Sequence, residues 1–507
     1  MRIIAVSSEG ILDTDTGEIS PRLELEKLLS SRPGGIIAGR SLYPVICELI
    51  PETLKDEGWT VSISVQQQRV NPLNRNEKRV TGMTYVTRLT YRPAKVGGRR
   101  NRRRPPSIKW LVLNLDLFFD TSKIQVKTSQ QVLEAAKSLI ELGERRGVKP
   151  RHSPGAYGSA LLRASSEWNT SERPAPFFIS DIAREHLPGN YYALAPKVNS
   201  KPLEHVYYMD QASSHHKISS SIPLPHPHWL RARGRLRAVE DGQFPCWIPA
   251  DRIGMLRRQV GLLCCTVECG VIPHRMTHLY PPWMRERGKQ IRWIWTPELR
   301  LLDKRVLLRH VSCALTSHHI DTALWEYAEW ALEQNKREDK SVLKSSLLAA
   351  YGMLACRTDR PIELYTVHGR AQPPRSEVCQ LPLLPKVYRS TVQSKRVPSI
   401  QNVIARGVIE AETRTRSIEY ARQLEGEGIP VAQIYADGLL AVTDQMPLML
   451  PEHWRIAASL TRVTSPHPNS IISDQLTRLP GIERAGREAY TMDGRVSRER
   501  EPNLNVF

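Results

Sequence analysis

Residues 429–442 read IPVAQIYADGLLAV: an apolar strand, a turn at Asp437-Gly438 and a second apolar strand, the pattern of a β-hairpin with one carboxylate at its tip. Asp-Gly is also among the strongest plain hairpin signals, so a turn aspartate with no chemistry stays open for this residue. Working outward, residues 205–218, HVYYMDQASSHHKI, form a β-rich run that ends in Asp210 and continues into small polar residues. Taken alone, Asp210 reads as a carboxylate at a strand end, where a capping role is the simpler account. Between the two lies KSVLKSSLLAAYGMLACR, residues 340–357, a helix by its Leu and Ala content and its apolar spacing, with basic residues at both ends.

In their order and spacing these three segments resemble motifs A, B and C of family B DNA polymerases, especially the protein-primed ones of phages and linear plasmids. Motif A, D-x-x-S-L-Y-P, falls on Asp210, Gln211, Ala212, Ser213, Ser214, His215 and His216; Asp210 and Ser213 match. His215 stands where the family has the tyrosine that packs under the incoming sugar, and His216 replaces the proline. Motif B, K-x-x-x-N-S-x-Y-G, maps onto Lys344, Leu348, Ala349, Tyr351 and Gly352, which keeps the triphosphate-gripping lysine and the Tyr-Gly pair that lines the nascent base pair but not the Asn-Ser pair. Motif C, D-T-D-S, falls on Tyr435, Ala436, Asp437 and Gly438, retaining the second aspartate. A slip of two residues makes Asp437 the first aspartate and puts Leu439 in the second one's place; the first register is preferred. KQIRWIWTPELRLLDKRV and DTALWEYAEWALEQNKRE resemble the text around the fingers.

The resemblance implies an α+β right-hand polymerase of palm, fingers and small thumb behind an N-terminal exonuclease-like (RNase H-like) domain. The expected limits are 1–170 for that domain, 171–318 and 361–450 for the palm, 319–360 for the fingers helices and 451–507 for a thumb-like region. It further implies template-directed DNA synthesis with Asp210 and Asp437 holding Mg²⁺, or Mn²⁺ in its stead. Lys344, Tyr351, Gly352, Ser213 and His215 are then expected at the nucleotide. Implied partners are a DNA template-primer, deoxynucleotides and a terminal or priming protein. The alternative is a catalytically inactive polymerase-derived protein that binds nucleic acid.

Composition agrees with a polyanionic partner. The 507 residues carry 72 Lys plus Arg against 52 Asp plus Glu, a formal charge of +20. With 40% hydrophobic residues the chain can bury cores of several domains, which excludes a merely basic disordered tail. No stretch approaches the roughly 20 apolar residues of a membrane span, and the eight scattered cysteines suit reduced thiols, so a cytoplasmic protein without a membrane role is expected. Cys264, Cys265, Cys269, His274 and His278 are zinc-type ligands at poor spacing; GLLCCTVECGVIP reads as an apolar strand with buried thiols instead.

The N-terminal part opens with short β-like runs and one helix near residues 22–31, followed by AKVGGRRNRRRPPS. There Arg99, Arg100, Arg102, Arg103 and Arg104 sit in a Gly/Pro frame that reads as a surface loop, either contacting phosphates or a solvated linker. The first exonuclease motif, D-x-E, falls on Ser7, Ser8 and Glu9, without its aspartate. Asn114 and Asp116 resemble the second motif, and Asp13 and Asp15 read as a turn. An exonuclease-like fold with absent or weak activity is therefore expected.

Overall fold

A computed structural model describes residues 2–21, 34–40, 42, 45–46, 59–69, 82–93, 108–118, 126–165, 177–188, 192–195, 203–226, 231–234, 260–316, 321–337, 340–355, 361–367, 380–381, 384–393, 400–435, 437–443 and 450–463. The chain divides into two compact units, Met1–Trp168 with Glu333–Ile400, and Asn169–Leu332 with Gln401–Asn505. The arginines at 99–104, the helix near 22–31 and everything after 463 lie outside the described residues.

The first unit begins with strands β1 (Ile3–Val6), β2 (Ile11–Asp13), β3 (Ile19–Ser20), β4 (Ile36–Gly39), β5 (Trp59–Arg69), β6 (Gly82–Pro93) and β7 (Ile108–Asn114). The all-apolar runs IIAV of β1 and IIAG of β4 are buried at every position, as parallel strands covered on both faces are. β3, β2 and β1 are antiparallel neighbours, and β1, β4 and β7 are parallel. Helix α1 (Ser129–Glu144) starts at a capping box in which Thr128 and Gln131 satisfy each other's backbone N–H groups. Its Val132, Ala136, Leu139 and Ile140 are buried at helical spacing. Helix α2 (Pro154–Arg163) starts at the Ser153 cap with proline in the first turn.

The second unit opens with helix α3 (Phe177–Glu185), β8 (Tyr192–Leu194), β9 (Leu203–Gln211) and helix α4 (Ser214–Ser221). A four-stranded sheet follows in the order β10-β13-β11-β12, from β10 (Arg231–Gly234), β11 (Gly261–Cys269), β12 (Gly288–Trp295) and β13 (Val306–Thr316). The strand reading of GLLCCTVEC holds: Cys264, Cys265 and Cys269 are buried thiols on β11, and desolvation pushes the Cys265 thiol well up. Helix α5 (Thr322–Gln334) completes this stretch.

The chain then returns to the first unit as helix α6 (Lys340–Met353) and strands β14 (Pro361–Val367), β15 (Gln380–Leu381) and β16 (Leu384–Gln393). α6 packs closely on α2 at Gly158, where an added Cβ would lie 2.4 Å from the Ser346 carbonyl oxygen. β14 pairs with both β5 and β16, so these strands extend the N-terminal sheet to ten strands. The second palm segment expected from residue 361 thus starts with strands of the first unit's sheet, and the expected fingers pair divides, α6 lying in the first unit while α5 lies almost wholly in the second.

The second unit resumes with helix α7 (Val403–Gly426), then β17 (Val431–Tyr435), β18 (Gly438–Val442) and β19 (Trp454–Val463). These strands and the earlier two form a five-stranded sheet in the order β19-β9-β18-β17-β8. β19, within the range expected for a thumb, is an edge strand of this five-stranded sheet. α7 starts at Asn402, whose side chain accepts from the Ala405 N–H and donates to Asp321 and to the Pro225 carbonyl. Its buried charges are paired: Arg414 with Glu298, and Glu412 with Arg300 and Arg416. Desolvation raises the Glu412 pKa, but hydrogen bonds from Arg300 and Arg416 outweigh it and hold the carboxyl below its usual range.

Two predictions follow from this packing. Gly407 of α7 lies against the Trp295 ring, which an added Cβ would meet at 2.0 Å; Gly407→Ala is expected to cost about 1–3 kcal/mol in urea unfolding. In the first unit, His152 is held down to about 4 by desolvation, then by the charges of Arg88 and Arg151. Below pH 6.5 the unfolded chain takes up a proton that the folded chain refuses, so stability falls as pH drops toward 4. His152→Gln should flatten the change in urea midpoint between about pH 7 and pH 5, the interval in which an ordinary histidine charges.

Candidate active site

Strand β9 sits between β18 and β19, and its alternation decides what faces where. Met209 is fully buried among residues of α7, β17 and β18, and the Gln211 side chain donates to the Thr413 carbonyl at 3.0 Å and to Ser417 at 2.9 Å on α7. Tyr208 and Asp210 therefore point to the other face. Across the ladders Asp210 stands opposite Gly438 on β18 and Arg455 on β19. Gly438 leaves room for the Tyr208 ring, since a Cβ there would come within 2.7 Å of the Tyr208 hydroxyl.

The hairpin joins this arrangement at its tip. The Asp437 carbonyl accepts from the Gln211 N–H at 2.8 Å, tying the tip to the end of β9. Ser213 adopts a left-handed conformation, φ 56°, and turns the chain abruptly into α4. That turn sets Ser214, the first residue of α4, beside the hairpin, where its hydroxyl donates to Asp437 Oδ2 at 3.2 Å. The positive end of the helix favours the carboxylate there.

Arg455 dominates the local charge. Its Nε donates to Asp210 Oδ1 at 2.7 Å and an Nη to Oδ2 at 3.0 Å, a bidentate fork. The Arg455 side chain is 61% exposed and that of Asp210 18%. The Asp210 hydrogen bonds raise the Arg455 pKa against desolvation, with further help from the charges of Asp210, Tyr208 and Asp437. Lys217 on α4 has its pKa lowered by desolvation and then by Arg455, against the pull of Glu452 and Asp210. His215, whose Nδ1 lies 3.3 Å from the Ser214 hydroxyl, is held well below the usual histidine range by desolvation, Arg406 and His216.

Of the residues singled out by sequence, Asp210, Ser213, His215 and Asp437 come together around the end of β9. Lys344, Tyr351 and Gly352 belong to α6 of the first unit. Lys344 is exposed and Gly352 has open space around its α-carbon, but Tyr351 is only 1% exposed, which departs from a ring lining an open nucleotide surface. Gly438, expected in the turn, is the first residue of β18. Leu439, which the alternative register puts in a carboxylate's place, is fully buried in the core with Met209. Sequence reasoning missed Arg455, Ser214 and Tyr208: a helix-like, thumb-type reading of PEHWRIAASLTRV gives way to strand β19 paired with β9.

In the first unit, Ser7 at the end of β1 bonds the Ser129 hydroxyl at 2.8 Å, where a metal-binding aspartate was sought. Asp116 pairs with Arg40 at 2.9 Å, and Asp13 is buried against Arg2, with Asp15 also bridged to it. The turn reading of Asp13 and Asp15 fits the Asp15 N–H donating to the Asp13 side chain.

Among the described residues no group of three or more His, Cys, Asp or Glu side chains could hold a metal ion, and no helix is long and apolar enough to cross a membrane. The Asp210–Asp437 set is small but consists of oxygen donors only. It suits a magnesium ion that takes most of its shell from water and phosphate, once the fork on Asp210 opens.

No protein-family model matches the sequence, and no curated protein does. Solved structures do. Phi29 DNA polymerase complexed with single-stranded DNA is similar at a TM-score of 0.55 and 10% identity, covering 92% of this chain and 86% of that one. The same polymerase with primer-template DNA and incoming nucleotides gives a TM-score of 0.57 and 11% identity, covering 91% of this chain and 86% of that one. The mixed α/β fold of this chain is thus similar, over about nine-tenths of its length, to that of Phi29 DNA polymerase, a protein-primed family B DNA polymerase.

Proposed function

We propose that the chain performs template-directed DNA synthesis in the replication of a phage or mobile element, with Asp210 and Asp437 as its catalytic carboxylates. The observation that carries this reading is their meeting at the end of β9, joined by the Gln211–Asp437 backbone bond within a sheet of polymerase-like fold. Bound there, a divalent cation supplies charge stabilisation for an in-line displacement at phosphorus. Ser214 orients Asp437, and β9, held on both edges, keeps Asp210 in place. Lys344 is the proposed triphosphate-binding cation, Ser213 and His215 the nucleotide neighbours, and Arg99, Arg100, Arg102, Arg103 and Arg104 the proposed phosphate-contacting loop. Primer-template DNA, deoxynucleotides and a priming protein are the proposed partners. Ser7 in the place of the first motif's aspartate, with Asp116 paired to Arg40 and Asp13 to Arg2, supports a chain without exonuclease activity.

A second reading, a nucleic-acid-binding protein that no longer synthesises, is favoured by one specific observation: both oxygens of Asp210 are engaged by Arg455.

Primer extension with Mg²⁺ and deoxynucleotides separates the two. Asp210→Ala and Asp437→Ala should each lower the extension rate by about 10²–10³-fold; a folded, DNA-binding wild type that does not extend establishes the second reading. Because the Asp210–Arg455 pair is largely exposed on its arginine side, Asp210→Asn should change the unfolding free energy by less than about 1 kcal/mol, so loss of extension in that variant is not loss of fold.

A further inference from the structure

Arg455 stands where its charge answers both carboxylates at once. The antiparallel register places it directly across from Asp210, and the fork engages both of that carboxylate's oxygens. Asp437 acts electrostatically on the same guanidinium. On the other side of Asp210 the facing position is Gly438, which has no side chain to contribute. The guanidinium is thus forked on Asp210 and within electrostatic reach of Asp437, on the pair that a divalent cation would bridge.

We propose that Arg455 is a displaceable internal counter-ion of the Asp210–Asp437 pair, one that holds the pair charge-balanced in the absence of metal and gives way to a divalent cation. This inference rests on the reading of the pair as a metal-binding centre. Displacement is cheap, because the Arg455 side chain is 61% exposed and regains water as its fork opens. A lysine at the same position keeps the charge but not the fork and should compete less well. Lys217, which interacts electrostatically with Asp210 and Arg455, is kept in every variant.

The test is Mn²⁺ binding to the full-length chain without DNA, read by electron paramagnetic resonance of free Mn²⁺ and by calorimetry. Arg455→Ala should bind Mn²⁺ about three- to tenfold more tightly than wild type, with Arg455→Lys between them. Asp210→Asn should weaken binding in both the wild-type and the Arg455→Ala background. Near-ultraviolet circular dichroism checks that each variant keeps its packing. Unchanged or weaker binding in Arg455→Ala, while Asp210→Asn still weakens it, overturns the counter-ion role and leaves the metal centre standing. Failure of every variant and of wild type to bind Mn²⁺ overturns the metal centre and the counter-ion role with it.

Discussion

The candidate site depends on β9 being paired on both edges in one register. In a strand the side chains alternate, so a slip of one residue would turn Asp210 onto the face of α7 and bring Met209 out of the core. The slip is opposed from below by the fit of Met209 into the apolar cluster and by the two hydrogen bonds from Gln211 to α7. Once that register is fixed, the partners of Asp210 are no longer free choices. Gly438 and Arg455 are its cross-strand neighbours, and the hairpin tip is tied to the next residue along.

The support beneath this sheet is unusual in being polar. α7 buries Glu412, Arg414, Thr415 and Ser417 along with its apolar residues. A buried charge without a partner is costly, whereas a fork such as Arg300 to Glu412 is met only when the 3₁₀ turn Thr296–Leu301 and α7 stand in one relation. Such pairs add little net stability compared with an apolar replacement, but they penalise every alternative alignment of the helix. The Gln211 contacts to Thr413 and Ser417 carry that alignment to the strand that ends in the candidate site.

Local pattern made part of this legible in the sequence. The hairpin at 429–442, the strand ending in Asp210 and the helix at 340–353 each declare themselves through apolar periodicity and turn chemistry, which are properties of neighbouring residues. What stayed hidden were relations between distant segments. Nothing local says that β19 lies beside β9, so Arg455 could not be assigned to Asp210; nothing local distinguishes a buried Tyr351 from an exposed one on a helix that is apolar on several sides. The strands of 361–393 fall in a stretch expected to be palm, but their place in the N-terminal sheet is set by the distant pairing with β5.

That last pairing bears on how the chain is made. β5 lies inside the sheet only because β14 covers one of its edges, and β14 is encoded far downstream, after the whole stretch from α3 to α5. During synthesis from the N-terminus, the ribosome delivers β5, β6 and β7 long before their last neighbour, so the growing chain carries an unprotected strand edge for much of its elongation. Production of this protein should therefore be sensitive to translation speed and to chaperones that shield nascent β-edges, more than its finished sheet would suggest.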